Sequence, residues 1–158
     1  SCGNRRHSRA DLILMDDLMN LPEVDYINMN LLPLEWKWTN TSSLYQTLPN
    51  VYIKAQEYFD DYLRFSRRIN KPLIVSEISY PRDRNHFEPK SPVDARISCF
   101  NFVINKLKQS EDDGNGLSAA FFGNFIDETE KHVPVAIYAS DTQTLSEIAL
   151  QKEKEKSK

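Results

Sequence analysis

The chain has 158 residues, 40% of them hydrophobic and 27% charged, which fits a single globular unit. A formal charge of -3 provides no basic footprint for nucleic acid, and the short cluster Arg5, Arg6, His7 and Arg9 reads as solvated surface. No apolar run approaches the roughly 18 residues a membrane helix needs, and no signal peptide opens the chain.

In chain order, Ser8-Arg9-Ala10-Asp11 predicts a capping box that opens a helix with Leu12, Met15, Leu18 and Met19 on its apolar side. After Pro22, VDYINMNLL (24–32) predicts a strand that Pro33 ends. The loop EWKWTNTSSLYQTLPN leads to a helix from about Val51 to Ile69, with Tyr58, Tyr62, Phe65 and Ile69 along one side. Lys71 to Ser79, in KPLIVSEISYPRD, predicts a second, buried strand that carries one acid, Glu77, at its far end. Ser91-Pro92-Val93-Asp94 is a second capping box with proline at the first helical position, followed by a helix burying Ile97, Phe100, Val103, Ile104 and Leu107. EDDGNG breaks that helix, and LSAAFFGNF (117–125) predicts a third strand. A last helix starts near Asp141 and runs into QKEKEKSK, so that 1–150 form the folded unit and 151–158 a charged, disordered tail.

Of the two cysteines, Cys99 lies on an apolar helical pattern and reads as a buried free thiol. The histidines at 7, 86 and 132 are scattered without ligand spacing, so neither a metal nor a cofactor is expected. Alternating strands and helices imply an α/β fold with a parallel sheet. Function in such folds gathers at the C-terminal ends of the strands, where Glu77, Asn30 and the loop holding Trp36 and Trp38 are placed.

KPLIVSEISYPRD, the helix opened by SPVDAR, and AIYASDTQTLSEI together resemble endo-β-1,4-mannanases of glycoside hydrolase family 5. DYINMNLLPLEWKW resembles that family's strand and loop of the form DYxTxHIWPxNWxW, and SCG at the start is similar to the SEG ending its fifth strand. The resemblance implies the C-terminal portion of a (β/α)8 TIM barrel, about strands six to eight with their helices, whose missing N-terminal half would be its partner. A complete barrel takes roughly 250 residues. It also implies a secreted, periplasmic or cell-surface protein acting on a β-mannan-type polysaccharide or oligosaccharide, with no nucleic acid and no membrane span involved.

By the same resemblance Glu77 is the catalytic nucleophile, while Asn30, Trp36, Trp38 and Phe122 bind substrate. A strand-end glutamate paired with Arg82 or Arg84 is the simpler structural reading of Glu77. For the tryptophans, sugar stacking competes with core packing. Asn30 stands where the family motif has histidine, Leu32 where it has tryptophan and Glu35 where it has asparagine. Ala120 takes the place of the tryptophan that floors the reacting sugar. Arg82 and Asp83 are expected to form a structural ion pair rather than to touch substrate.

Retaining hydrolysis takes two carboxyl groups, and the family's acid/base glutamate follows an asparagine; no Asn-Glu pair occurs here. The expected function is therefore retaining, endo-β-1,4-mannanase-like hydrolysis, with these 158 residues inactive by themselves. The alternative is an inactive remnant or a non-catalytic carbohydrate-binding relative. A nucleotide-binding domain is disfavoured, since GNG does not join a strand directly to a helix N-terminus. Half a barrel should also expose two sheet edges and an apolar interior face.

Overall fold

A computed structural model describes residues 17–83, 88–112, 116–130 and 133–155. The helix expected from Ser8 lies outside them except for residues 17–19, which are helical; Cys2, Arg84, His86 and His132 lie outside as well. The elements in order are β1 (Ile27–Leu31), α1 (Leu44–Ile69), β2 (Leu73–Ile78), α2 (Asp94–Asp112), β3 (Leu117–Phe122) and α3 (Thr142–Glu155). The strands form one sheet in the order β1-β2-β3, and both pairings are parallel. This is the α/β repeat that the sequence pattern predicts, in an open sheet compatible with part of a (β/α) barrel. α3 continues through Glu155, into the segment expected to be a disordered tail.

α1 begins seven residues before the expected Val51 and contains Pro49. Its entry is built by Asn40, whose Oδ1 accepts bonds from the Ser42 amide (3.1 Å) and from the hydroxyls of Ser42 (2.7 Å) and Ser43 (2.8 Å). Asn70 ends the helix in the left-handed conformation (φ 53°, ψ 46°), which asparagine tolerates better than most residues. The deeply buried stripe of α1 is Leu44, Val51, Ala55, Phe59 and Ser66. Tyr58, Tyr62, Phe65 and Ile69, read from the sequence as its apolar face, instead flank that stripe and pack on the core while partly exposed.

α2 also starts differently from expectation. Ser91 does not open it: the helix begins at Asp94, and its first amides donate to a carboxylate from another loop. α1 packs on β1 and β2, and α2 packs on β3 and on both neighbouring helices. Ile27, Met29, Leu31, Leu73, Val75 and Ile78 meet Phe59, Cys99, Phe100 and Val103 in one core. Cys99 is a buried free thiol, as the helical pattern indicates.

The strands depart from simple alternation twice. Met29 pairs with Val75 but Asn30 pairs with Glu77, so Ser76 is an extra residue on β2. Leu73 pairs with Leu117 but Ile74 pairs with Ala119, so Ser118 is an extra residue on β3. An extra residue moves every following side chain to the other face of a sheet. The face away from the helices is consequently mixed rather than apolar. It carries exposed Asn28 and Ser76, half-buried Asn30, and Phe121, which is 59% exposed.

Candidate active site

Glu77 is the next-to-last residue of β2, the middle strand, at its C-terminal end. By alternation from Leu73 and Val75 it would point into the core. The extra Ser76 gives that place to fully buried Ile78 and leaves Glu77 half-buried. Asn30 of β1 is its register partner. Ser76 links the strands on the same face: Asn28 Nδ2 donates to Ser76 Oγ (3.2 Å), and Ser76 Oγ donates to Asn30 Oδ1 (2.7 Å).

Arg82 does not pair with Glu77. It is fully buried, and its Nη2 bonds the Asp141 carboxylate while its Nη1 donates to the Ser91 carbonyl (2.9 Å). Its guanidinium carbon also lies 4.8 Å from the centre of the Tyr138 ring. Arg96, equally buried, donates to the carbonyls of Tyr80 (2.8 Å), Ala136 (2.7 Å) and Pro134 (3.1 Å). Burial, and then the charge of Arg82, lowers the Arg96 pKa to about 10.

Asp83 is the carboxylate that starts α2, accepting the amides of Asp94 (3.0 Å) and Ala95 (3.3 Å). Tyr45 Oη also donates to it (2.8 Å), and burial followed by this bond raises the tyrosine to about 12. Two buried guanidiniums thus sit with two buried carboxylates, Asp83 and Asp141, just beyond the end of β2. Their bonds tie the exit of that strand to the start of α2 and to residues 134–141. Of the ion pairing expected of Arg82 and Asp83, Arg82 pairs with the distant Asp141, while Asp83 accepts hydrogen bonds from the Asp94 and Ala95 amides and from Tyr45.

The aromatic residues lie elsewhere. Trp36 and Trp38 are each 7% exposed and pack edge to face at 4.8 Å, with Tyr58 against both at 5.2 Å and 6.1 Å. Neither ring keeps an open face for a pyranose, so core packing replaces the sugar-stacking expectation for both. Phe122 packs against Phe100 of α2 at 4.8 Å, on the helix side of the sheet, and Ala120 shares that side. Phe121 and, just past the strand, Phe125 are exposed aromatics near the end of β3; sequence reasoning missed Phe121 because the extra Ser118 inverts the alternation. The structure therefore brings Asn30 and Glu77 together, leaves Trp36 and Trp38 in the core, and packs half-buried Phe122 against it.

A cavity of about 210 Å³ lined by Ser66, Arg67, Asn70, Lys71, Pro72, Gly116 and Ser118 lies toward the opposite, N-terminal end of the strands. Among the described residues, no group of three or more His, Cys, Asp or Glu could hold a metal ion, and no helix is long and apolar enough to cross a membrane.

The family model for glycoside hydrolase family 5 beta-mannosidase-like proteins matches residues 4–136. The chain belongs to glycoside hydrolase family 5. A family 5 mannosidase from Rhizomucor miehei, solved in complex with mannosyl-fructose, superposes with a TM-score of 0.73 at 15% identity, over 93% of this chain and 43% of that one. An endo-1,4-beta-mannanase from the same organism gives 0.59 at 16% identity, over 90% and 33%. An endo-beta-1,4-mannanase from Thermotoga petrophila gives 0.55 at 16%, over 87% and 28%. A search of curated proteins returns no significant match. This family 5 chain thus spans less than half the length of the solved relatives it resembles, and at these identities the likeness speaks to fold alone.

Proposed function

We propose that the chain supplies the nucleophile side of a retaining β-mannoside hydrolase, with Glu77 as the residue that bonds to the anomeric carbon. The observation carrying this reading is the placement of Glu77. It ends the middle strand, an extra residue turns it off the core, and among the described residues no cation or hydrogen-bond donor engages its carboxylate. A strand-end carboxylate that no described residue pairs can attack without first breaking an ion pair to one of them. Retention needs a second carboxyl group roughly 5–5.5 Å away to protonate the leaving oxygen and then activate water. That group comes from the rest of the barrel, so these 158 residues alone are inert. The substrate class is a β-mannan-type polysaccharide or oligosaccharide, and the action resembles that of an endo-β-1,4-mannanase. A polymeric substrate of that kind fits a secreted, periplasmic or cell-surface enzyme.

Asn30 in place of the motif histidine, with Leu32 and Ala120 in place of its tryptophans, favours a second reading: a relative that binds carbohydrate or has lost activity. Both readings meet one experiment on the protein with its barrel complete. Release of reducing ends from mannan is expected, and Glu77→Ala is expected to remove it by orders of magnitude with the melting temperature unchanged. Retention on mannan without hydrolysis supports the second reading. Undiminished hydrolysis by Glu77→Ala refutes the role of Glu77.

A further inference from the structure

We infer that Asn28, Ser76 and Asn30 form a directional hydrogen-bond relay that turns Asn30 to present its amide N–H groups as donors to a hydroxyl oxygen of the glycoside bound at Glu77. The inference rests on the reading of Glu77 as nucleophile and adds a positioning device to it.

A carboxamide presents an acceptor on one side and two donors on the other, so its use to a ligand depends on which way it is turned. Here the turn is set from below. Asn28 Nδ2 donates to Ser76 Oγ at 3.2 Å, which directs the serine's own proton onward to Asn30 Oδ1 at 2.7 Å. The Met29 carbonyl, the other acceptor within reach of that hydroxyl, is farther away at 3.4 Å. With its oxygen turned toward Ser76, Asn30 keeps its amide N–H groups on the other side of the carboxamide and free of that bridge, beside its register partner Glu77.

Ser76 is the unpaired extra residue of β2, and Glu77 takes the register place beside Asn30 that residue 76 would hold in a regular strand. The same irregularity that releases Glu77 from the core therefore also sets it beside the amide that Ser76 orients. A sugar hydroxyl next to the reacting carbon is an acceptor of the right kind for an N–H donor. A donor locked before binding does not have to be ordered during it.

The test compares Ser76→Ala, Ser76→Thr, Asn30→Asp and Glu77→Ala in the protein with its barrel complete, reading kcat and KM on a manno-oligosaccharide. Melting temperatures are measured alongside, and the Asn30 side-chain amide is followed by NMR during titration with mannobiose. Ser76→Ala is expected to reduce kcat/KM about tenfold, the scale of one hydrogen bond. Ser76→Thr, which keeps the hydroxyl, restores it. Asn30→Asp, which exchanges donors for acceptors at the same size, loses more than Ser76→Ala. The Asn30 amide protons shift as the sugar binds, and the shift weakens in Ser76→Ala. Full activity of Ser76→Ala beside a dead Glu77→Ala overturns the relay and leaves the nucleophile standing. An active Glu77→Ala overturns the nucleophile and the relay with it. If the protein neither cleaves nor perturbs the Asn30 amide at saturating mannobiose, the donor role is wrong.

Discussion

Arg82 and Asp141, 59 residues apart in the chain, form an ion pair from which water is excluded: their side chains are 0% and 2% exposed. The same Asp141 oxygen accepts the Tyr138 amide at 2.9 Å and lies 3.7 Å from Arg96. The pair joins the segment after β2 to the start of α3, holding in place the loops that surround the C-terminal end of the sheet.

Removing one member leaves a buried charge without its partner. Asp141→Asn or Arg82→Met is expected to cost about 3–5 kcal/mol, read as a lowered urea midpoint. Replacing both, as Arg82→Met with Asp141→Leu, should recover part of that loss, since Arg82 no longer stands without its partner, while Arg96 still loses the carboxylate 3.7 Å away. A double variant as unstable as the sum of the single variants would show that the two act independently.

Asp83 works at a distance as a helix cap. Asp83→Ala strips the Asp94 and Ala95 amides of their acceptor and is expected to cost about 1–2 kcal/mol. Asp83→Asn, which keeps one acceptor oxygen, should cost less. Ser91→Ala is expected to change the melting temperature little, because Arg82 uses the Ser91 carbonyl rather than its side chain.

Trp36 and Trp38 separate packing from sugar binding. Each replaced by alanine is expected to lose about 3–5 kcal/mol, the scale for a large buried aromatic. Replacement by phenylalanine should lose less and leave retention on mannan unchanged. A Trp36→Phe variant of native stability that no longer binds mannan would return the ring to the sugar site.

Burial raises the Cys99 thiol from 9.0 to about 12. The folded chain keeps this proton while the unfolded chain releases it, so the stabilisation is complete below pH 9 and falls away as pH rises toward 12. Tyr45, raised from 10.0 to about 12 by burial and then by Asp83, adds to the same alkaline loss. Cys99→Ala is expected to cost about 1 kcal/mol at neutral pH. Above pH 9 it should flatten the decline in stability by at most about 1.4 kcal/mol per pH unit, measured by urea unfolding across that range.

Much of the architecture was written in local patterns. The β-branched run before Glu77, bounded by Pro72 and Pro81, identified the middle strand, and the four-residue periodicities identified two of the helices. The YPRD segment and its companions were enough to point to family 5. Where local pattern ran out, the cause was contact between distant residues. Pro49 read as a loop, yet α1 runs through it; Ser91 read as a cap, yet Asp83 arrives from outside the helix to do that work.

What the amino-acid order determined unaided is the alternation of strands and helices, the family, and the presence of one acid at the end of a buried strand. Which way that acid points was decided only in the folded sheet. Period-two reading places Glu77 with Leu73 and Val75 in the core and puts Phe121, rather than Phe122, on the Leu117 side. One extra serine in each strand, Ser76 and Ser118, reverses both outcomes. The reason is physical: a strand's side chains alternate by geometry, but an extra residue is accommodated according to how its neighbours pair and pack, and that information lies in other strands.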